Sequence, residues 1–392
     1  MRRPRPQPDA YFHFRTPGNR HSFVDRRRLI ETFFLNRVMY PKINVSFTLL
    51  FAFFSLWVVM VVVVKAETRM DFDGDGKSDP TVLREENVGN QTFLAYWHVL
   101  RSRDGYFSAQ WGASMIQQNN ELVFEDIFVP ADYDGDGKTD FAVWRRPYGT
   151  GSTATGFQCY FYILYSGTNN FVAVPWGRSS VVSYVDRPIP QDYDGDGKTD
   201  IAIYRVGGGG TYWWILQSSN GVVRSERFGN GNTAEALRGD FDGDRKADLG
   251  VARASDSTIN AAWNFYVHKS TTGQIIQASL GRVIADFIVP GDFDGDGKTD
   301  IALFGNKSFE FSDGYWKYIR SRDGTPVYFK WGLPTDGAVP GDYDGDGITD
   351  VAVYRINRFA ECNVPSYFYI HRSSDNALQV TQWGSCHDPV SY

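Results

Sequence analysis

An all-β fold assembled from repeats is predicted by three features of the sequence. The stretch Asp192–Arg205, DYDGDGKTDIAIYR, is one of six near-copies. Each copy runs into residues that alternate as a strand does. Further strand-like segments recur behind every copy, with little helical periodicity. The other copies are DFDGDGKSDPTVLR from Asp71, DYDGDGKTDFAVWR from Asp132, DFDGDRKADLGVAR from Asp240, DFDGDGKTDIALFG from Asp292 and DYDGDGITDVAVYR from Asp342. Their first aspartates are spaced by 61, 60, 48, 52 and 50 residues, and 50 residues follow Asp342. Recurrence at that period marks one supersecondary unit of a repeat architecture.

The loop itself comes first in each unit. Aspartates stand at its positions 1, 3, 5 and 9, and glycines at positions 4 and 6 in all but one copy. The candidate ligands are Asp71, Asp73, Asp75 and Asp79; Asp132, Asp134, Asp136 and Asp140; Asp192, Asp194, Asp196 and Asp200; Asp240, Asp242, Asp244 and Asp248; Asp292, Asp294, Asp296 and Asp300; and Asp342, Asp344, Asp346 and Asp350. Four carboxylates within nine residues repel one another, and a hard cation reverses the sign of that repulsion. Calcium takes about six to eight oxygens at irregular geometry, which four carboxylates, a carbonyl near position 7 (Lys198 in the third copy) and water supply. The glycines permit the positive φ angles that gather the side chains. Calcium, up to six ions, is the expected cofactor. An acidic turn that binds nothing is the alternative, and sixfold recurrence argues against it.

An EF-hand is excluded by position 12, where that loop needs a bidentate Glu. Here the residues are Val82, Val143, Ile203, Val251, Leu303 and Val353, all apolar. Two copies depart from the pattern. Arg245 replaces Gly at position 6 of the fourth, a harder residue to place at positive φ, so weaker binding is expected there. Ile348 replaces Lys at position 7 of the sixth, which matters little if only its carbonyl is used.

Behind the loop strand, a second strand carries an aromatic at Trp97, Phe161, Trp213, Phe265, Trp316 and Phe368. It ends at a serine before a turn: Ser102, Ser166, Ser218, Ser270, Ser321 and Ser373. A third strand ends in an apolar–Gly pair, as in Trp111-Gly112, Trp176-Gly177, Phe228-Gly229, Leu280-Gly281, Trp331-Gly332 and Trp383-Gly384. A short fourth segment leads into the next loop. Three to four antiparallel strands per unit, repeated radially, make a β-propeller. Six units predict six blades, and a seventh would need a degenerate unit that the sequence does not display. Thr81, Ala142, Ala202, Gly250, Ala302 and Ala352 are small at one place on the first strand, as expected for strands crowding a central axis. The repeated aromatics are expected to pack between blades. The C-terminal Asp388–Tyr392 resembles the segment before each loop and is expected to complete the first blade.

The first 66 residues differ in kind. They hold eleven Lys/Arg against three Asp/Glu, and end in the apolar run Ile43–Val64. About 20 apolar residues span a bilayer as a helix. Arg26, Arg27, Arg28, Arg37 and Lys42 precede the run, which puts the N-terminus in the cytoplasm and the repeats outside. Residues 1–42 read as a basic cytoplasmic or mis-started segment, with Met39 as the alternative start. Residues 43–66 read as a signal peptide, cleaved after Val64-Lys65-Ala66, or as a retained signal anchor; both stay open. Residues 67–392 form the propeller, with 29 basic and 43 acidic residues. Their net charge of −14 would fall to −2 with six divalent ions bound, so the acidity reads as ligand supply and argues against nucleic acid. Cys362 and Cys386 lie in the last repeat, as a disulfide or as free thiols, and Cys159 is left over.

On these motifs, the span from about Asp71 to Tyr392 resembles the FG-GAP/VCBS repeats of the integrin α-subunit propeller, in the form found in bacterial secreted proteins. The resemblance implies calcium held by the position 1, 3, 5 and 9 aspartates on one face of the propeller. It implies less about activity, because such propellers serve adhesion, sugar binding and scaffolding and sometimes accompany enzymes.

Catalytic motifs are absent from the sequence. His98, His268, His371 and His387 are dispersed over different repeats, and Asp186, Glu226 and Asp286 stand outside the loops. Arg238-Gly239-Asp240 spells a cell-attachment tripeptide but shares the register of Gly291-Asp292 and Gly341-Asp342. The expected function is a non-catalytic, extracytoplasmic binding or adhesion module for a protein or carbohydrate ligand at the cell surface. A monomer is expected. The alternative is a polysaccharide-active enzyme, with its residues in Arg146–Gly156 or Asn357–Pro365, or a lectin on the same scaffold.

Overall fold

Six antiparallel blades follow one another along the chain, one for each copy of the loop. The structure, a computed structural model, describes residues 70–385 apart from 90–91, 119–120, 148–155, 180–185, 231–234, 259, 306–313 and 357–364. The expected N-terminal export segment, Cys362 and Cys386, the expected closing residues 388–392 and most of the two irregular loops lie outside the described residues.

The first blade comprises β1 (Thr81–Asn87), β2 (Thr92–Arg101) and β3 (Gly105–Gln118). The second has β4 (Glu121–Phe128), β5 (Phe141–Pro147), β6 (Phe157–Leu164) and β7 (Phe171–Ser179). The third has β8 (Asp186–Pro188), β9 (Ile201–Gly207), β10 (Gly210–Leu216) and β11 (Val223–Asn230). The fourth has β12 (Glu235–Leu237), β13 (Leu249–Ala254), β14 (Trp263–His268) and β15 (Ile275–Leu280). The fifth has β16 (Asp286–Ile288), β17 (Ile301–Gly305), β18 (Tyr315–Ile319) and β19 (Pro326–Lys330). The sixth has β20 (Gly337–Ala338), β21 (Val351–Arg355), β22 (Pro365–His371) and β23 (Leu378–Ser385). All neighbouring strands are antiparallel, and the ends of β3 and β4 also pair, joining the first two blades in one sheet. There is no helix among the described residues.

Position in the sheet explains each strand's composition. The strand after the loop is buried on both faces, as in Phe141–Trp144 and Val351–Tyr354, so it is apolar without alternation. The next strand buries alternate residues: Cys159, Phe161 and Ile163 in one blade, Phe368 and Ile370 in another. From the second blade on, the last strand is an edge and alternates exposed with half-buried residues, as in Val223–Asn230. The short strand before the loop forms the opposite edge in the third to sixth blades. The small residues Ala142, Ala202, Gly250, Ala302 and Ala352 sit on the strand after the loop, which pairs with the short strand before it. At Gly250 that neighbour leaves no room: a Cβ there would lie 2.7 Å from Cβ of Leu237.

Blades are tied to their neighbours by the apolar–Gly pairs. The indole N–H of Trp111 donates to the Tyr162 carbonyl of the next blade, and Trp176 and Trp331 donate likewise to Trp214 and Tyr369, each at 3.2 Å. Trp383, in the last blade, donates to the His98 carbonyl of the first at 3.1 Å, so the ring is shut. The glycine after each Trp has positive φ, 92° at Gly177, which lets the chain fold back closely on the following blade. A Cβ there would meet Trp144, Asp186 and Ile203 within 3.4 Å.

Candidate metal centres

Five of the aspartate loops join a strand to the next strand of their blade and the first leads into β1, and the base of each is pinned by the position-9 N–H. That group donates to the residue before position 1, for example Asp200 to the Gln191 carbonyl and Asp79 to that of Met70. Inside the loop, the position-1 carboxylate caps the turn. Asp192 Oδ1 accepts from Gly195 N–H at 2.5 Å and Oδ2 from Gly197 N–H at 2.9 Å, and the other five loops repeat the pair. Arg245 takes the place of that second glycine at φ 69°, with its N–H 2.6 Å from Asp240 Oδ2. The fourth loop therefore follows the common path despite its side chain.

The position-9 aspartates are the most deeply placed. Asp140, Asp200, Asp248, Asp300 and Asp350 are fully buried and Asp79 is nearly so. Each accepts from the N–H of position 2, such as Tyr193, and from the N–H of the repeated turn serine, such as Ser218. Burial outweighs these donors. It raises Asp79 and Asp140 to about 7, and Asp200, Asp248, Asp300 and Asp350 to about 6. Burial also raises the position-1 groups Asp132, Asp192, Asp240 and Asp292.

The repeated serine thus has a role beyond ending a strand. Its hydroxyl donates to the position-5 aspartate in five blades: Ser102 to Asp75, Ser218 to Asp196, Ser270 to Asp244, Ser321 to Asp296 and Ser373 to Asp346. Ser166 Oγ is buried with no hydrogen-bond partner. In the sequence, only the serine's recurrence before the turn signals this contact.

Carboxylate oxygens of positions 1, 3 and 9 come within 4.8 Å of one another in the first, third, fourth and fifth loops, and those of Asp132, Asp134 and Asp136 do so in the second. At position 3, one oxygen of Asp73, Asp242 and Asp294 is buried without a hydrogen-bond partner. A buried carboxylate oxygen with no donor is a costly arrangement for protein alone. The residues present fit a hard cation: every ligand is an oxygen, several are charged, and thiol and imidazole are absent from the loops. Position 12 supplies no ligand. Val143, Ile203, Val251, Leu303 and Val353 are all buried in packing, as the exclusion of an EF-hand requires.

The six loops also form a circle. The position-8 N–H of each loop donates to the position-1 carbonyl of the loop before it: Thr139 to Asp71, Thr199 to Asp132, Ala247 to Asp192, Thr299 to Asp240, Thr349 to Asp292, and finally Ser78 to Asp342, at 2.6–2.8 Å. Position-7 side chains lie across the preceding loop's position-4 glycine. A Cβ on Gly135 would be 2.9 Å from Cγ of Lys198, and one on Gly295 would be 2.8 Å from Cδ1 of Ile348. The side chain at position 7 therefore packs, and Ile348 replaces the lysine stem there without its charge.

The acids outside the loops have structural partners. Asp186 holds Arg205 bidentately at 2.5 and 2.9 Å, Asp286 holds Lys317 at 2.8 Å, and Glu226 pairs with Arg224. His98 is buried. Burial, with Arg84 nearby, lowers it to about 4, and its Nδ1 meets the Tyr106 hydroxyl at 3.0 Å.

No family model and no curated protein matches the chain. Among solved structures it is similar to AofleA from Arthrobotrys oligospora, at 9% identity and TM-score 0.47, over 81% of this chain and 93% of that one. It is similar also to the β-propeller domain of the Trilobed protease from Pyrococcus furiosus, described as having an open velcro topology. There the identity is 12% and the TM-score 0.41, over 78% and 80% of the two chains. The propeller is read from the six blades and their closing contacts, and the likeness to FG-GAP/VCBS repeats rests on the loop motif.

Proposed function

We propose that this chain is an exported calcium-binding β-propeller that acts as a non-catalytic binding or adhesion module for protein or glycan partners. One observation carries the calcium reading: converging carboxylates in partly buried loops, with a buried position-3 oxygen that has no hydrogen-bond partner in the first, fourth and fifth. Bound calcium would neutralise the carboxylates of positions 1, 3, 5 and 9 and so stabilise the loop. The chain's own share is to fix these groups beforehand, through the backbone donors of position 1 and the serine donors of positions 5 and 9. Because neighbouring loops are hydrogen-bonded around the circle, calcium would stiffen one whole face of the propeller. That leaves the opposite face and the variable stretches for a partner. The apolar run Ile43–Val64 supports export to the cell surface.

Thermal unfolding of the protein with calcium and with chelator tests the reading. An ion that binds only the folded state adds about 2.7 kcal/mol per site at a hundredfold excess over Kd. A large upward shift in Tm with several ions bound is expected, and equal Tm values with no heat of binding would refute it. Glycan-array binding and turnover assays on polysaccharides then separate an adhesion module from a lectin or an enzyme.

A further inference from the structure

The six loops are alike in their aspartates but not in what covers position 3. The covering residue follows the turn serine: Arg103, Gly167, Ser219, Thr271, Arg322 and Ser374 in blade order. In three blades it is a hydroxyl that donates to the position-3 carboxylate. Ser219 meets Asp194 Oδ2 at 2.6 Å, Thr271 meets Asp242 Oδ2 at 2.5 Å and Ser374 meets Asp344 Oδ2 at 2.6 Å. In the second blade Gly167 provides nothing, and a Cβ there would collide with Asp136 Oδ2.

The first and fifth blades place a guanidinium there instead, and in the first it also pairs with Asp104, Nε to Oδ1 at 3.0 Å. Arg103 sends its guanidinium to the Asp73 carbonyl, and its backbone N–H meets Asp73 Oδ2 at 2.9 Å. Arg322 Nη2 donates to the Asp294 carbonyl at 2.6 Å and stands 3.7 Å from Asp294 Oδ1. That oxygen and Asp73 Oδ1 are the partnerless, buried atoms of their loops; Asp73 is 1% exposed and the Asp294 side chain 7%. The guanidinium thus lies beside the site without satisfying the oxygen that points into it.

We propose that Arg103 and Arg322 are resident counter-cations that oppose a divalent ion, so that the first and fifth loops bind calcium more weakly than they would with a hydroxyl in that place. This rests on the calcium reading above. A unit charge beside a divalent ion, in surroundings close to water, lowers its affinity by up to about tenfold, and by less in the first loop, where Asp104 shares the guanidinium. The six sites then fill in steps, and the propeller gains two calcium-responsive loops, next to one another but for the sixth, that load after their neighbours.

The test is calcium titration of the full-length protein by calorimetry, with terbium luminescence as a second readout, on wild type and on Arg103→Ser/Arg322→Ser. The wild type should show a weak class that includes two sites, and the double variant should move those two into the strong class, tightening them by up to about tenfold. Arg103→Lys/Arg322→Lys keeps the charge and should leave the weak class in place, which separates electrostatics from lost packing. Should the serine variant fail to fold, a lysine variant that binds as wild type would still support the charge argument, and one whose weak sites tighten would overturn it. Identical isotherms for wild type and serine variant would remove the inference while leaving the calcium reading intact. No ion bound by any of the proteins would remove both.

Discussion

Raising the pH in the presence of a chelator should destabilise this propeller, against the usual behaviour of a carboxylate-rich protein. The responsible groups are the six position-9 aspartates, whose folded-state values lie at about 6 to 7 because burial penalises their charge. In the unfolded chain an aspartate titrates near 3.9. The folded state therefore holds the proton more tightly. The stabilising contribution is fully present below pH 4 and is lost as the pH rises through 6 and 7. A displacement of two to three units is worth about 3 to 4 kcal/mol for one aspartate. If only a third of that survived relaxation of the apo loops, six loops would still lose on the order of 6 kcal/mol, as much as many domains' entire stability. For a fold of this size the loss corresponds to a fall in Tm on the order of 10 °C. The assay is a series of melts in excess chelator between pH 5.5 and 8, followed by near-ultraviolet circular dichroism. Calcium should abolish most of the slope, because an ion held by the ionised carboxylates replaces the proton. A chelated protein whose Tm is flat across that range, or climbs with pH, would refute the claim that burial dominates at position 9.

Three substitutions probe other parts of the same construction. Trp383→Phe keeps a ring in the seam between the last and first blades but removes the donor to the His98 carbonyl. It should cost about 1 to 2 kcal/mol and lower the urea midpoint, with m unchanged. Arg245→Gly relieves a left-handed residue and should stabilise the protein by about 1 kcal/mol, seen as a higher Tm even in chelator. Ser218→Ala removes a hydroxyl from Asp196 and should weaken calcium binding at that loop severalfold in titrations, whereas Ser166→Ala, whose Oγ has no partner, should leave binding unchanged.

What could be read from the chain alone follows from the range over which each requirement acts. A metal loop needs its ligands within nine residues of one another, so residue types and spacing announce it, and so does the apolar position 12 that distinguishes it from an EF-hand. Strand alternation is equally local, and it revealed three strands behind every loop. Sheet order is not local. Nothing in the run Ile201–Gly207 says that a three-residue strand, Asp186–Pro188, pairs along its edge. The circle of loop-to-loop hydrogen bonds was hidden for the same reason, because its donors are backbone groups and any residue at position 8 supplies one. Arg103 and Arg322 were visible only as parts of two identical pentapeptides, Arg101–Gly105 and Arg320–Gly324, with no hint that they reach back to a loop some thirty residues earlier.

The buried acids between blades show most clearly why a repeat can be misread one copy at a time. Arg145, Arg205 and Arg355, all at position 14 of the loop motif, hold Asp126, Asp186 and Asp336. The fifth copy has Gly305 at that position, which offers no cation. In the structure Asp286 is still buried and still neutralised, by Lys317 from the neighbouring strand, whose ammonium reaches both carboxylate oxygens at 2.8 Å. A carboxylate buried between blades cannot be left unpaired, since an uncompensated charge there would cost several kcal/mol. The requirement is therefore a cation at that point in space, and the sequence position that supplies it is free to change. Asp286→Ala should then be tolerated better together with Lys317→Met than alone, because the pair, not either residue, is what the fold demands.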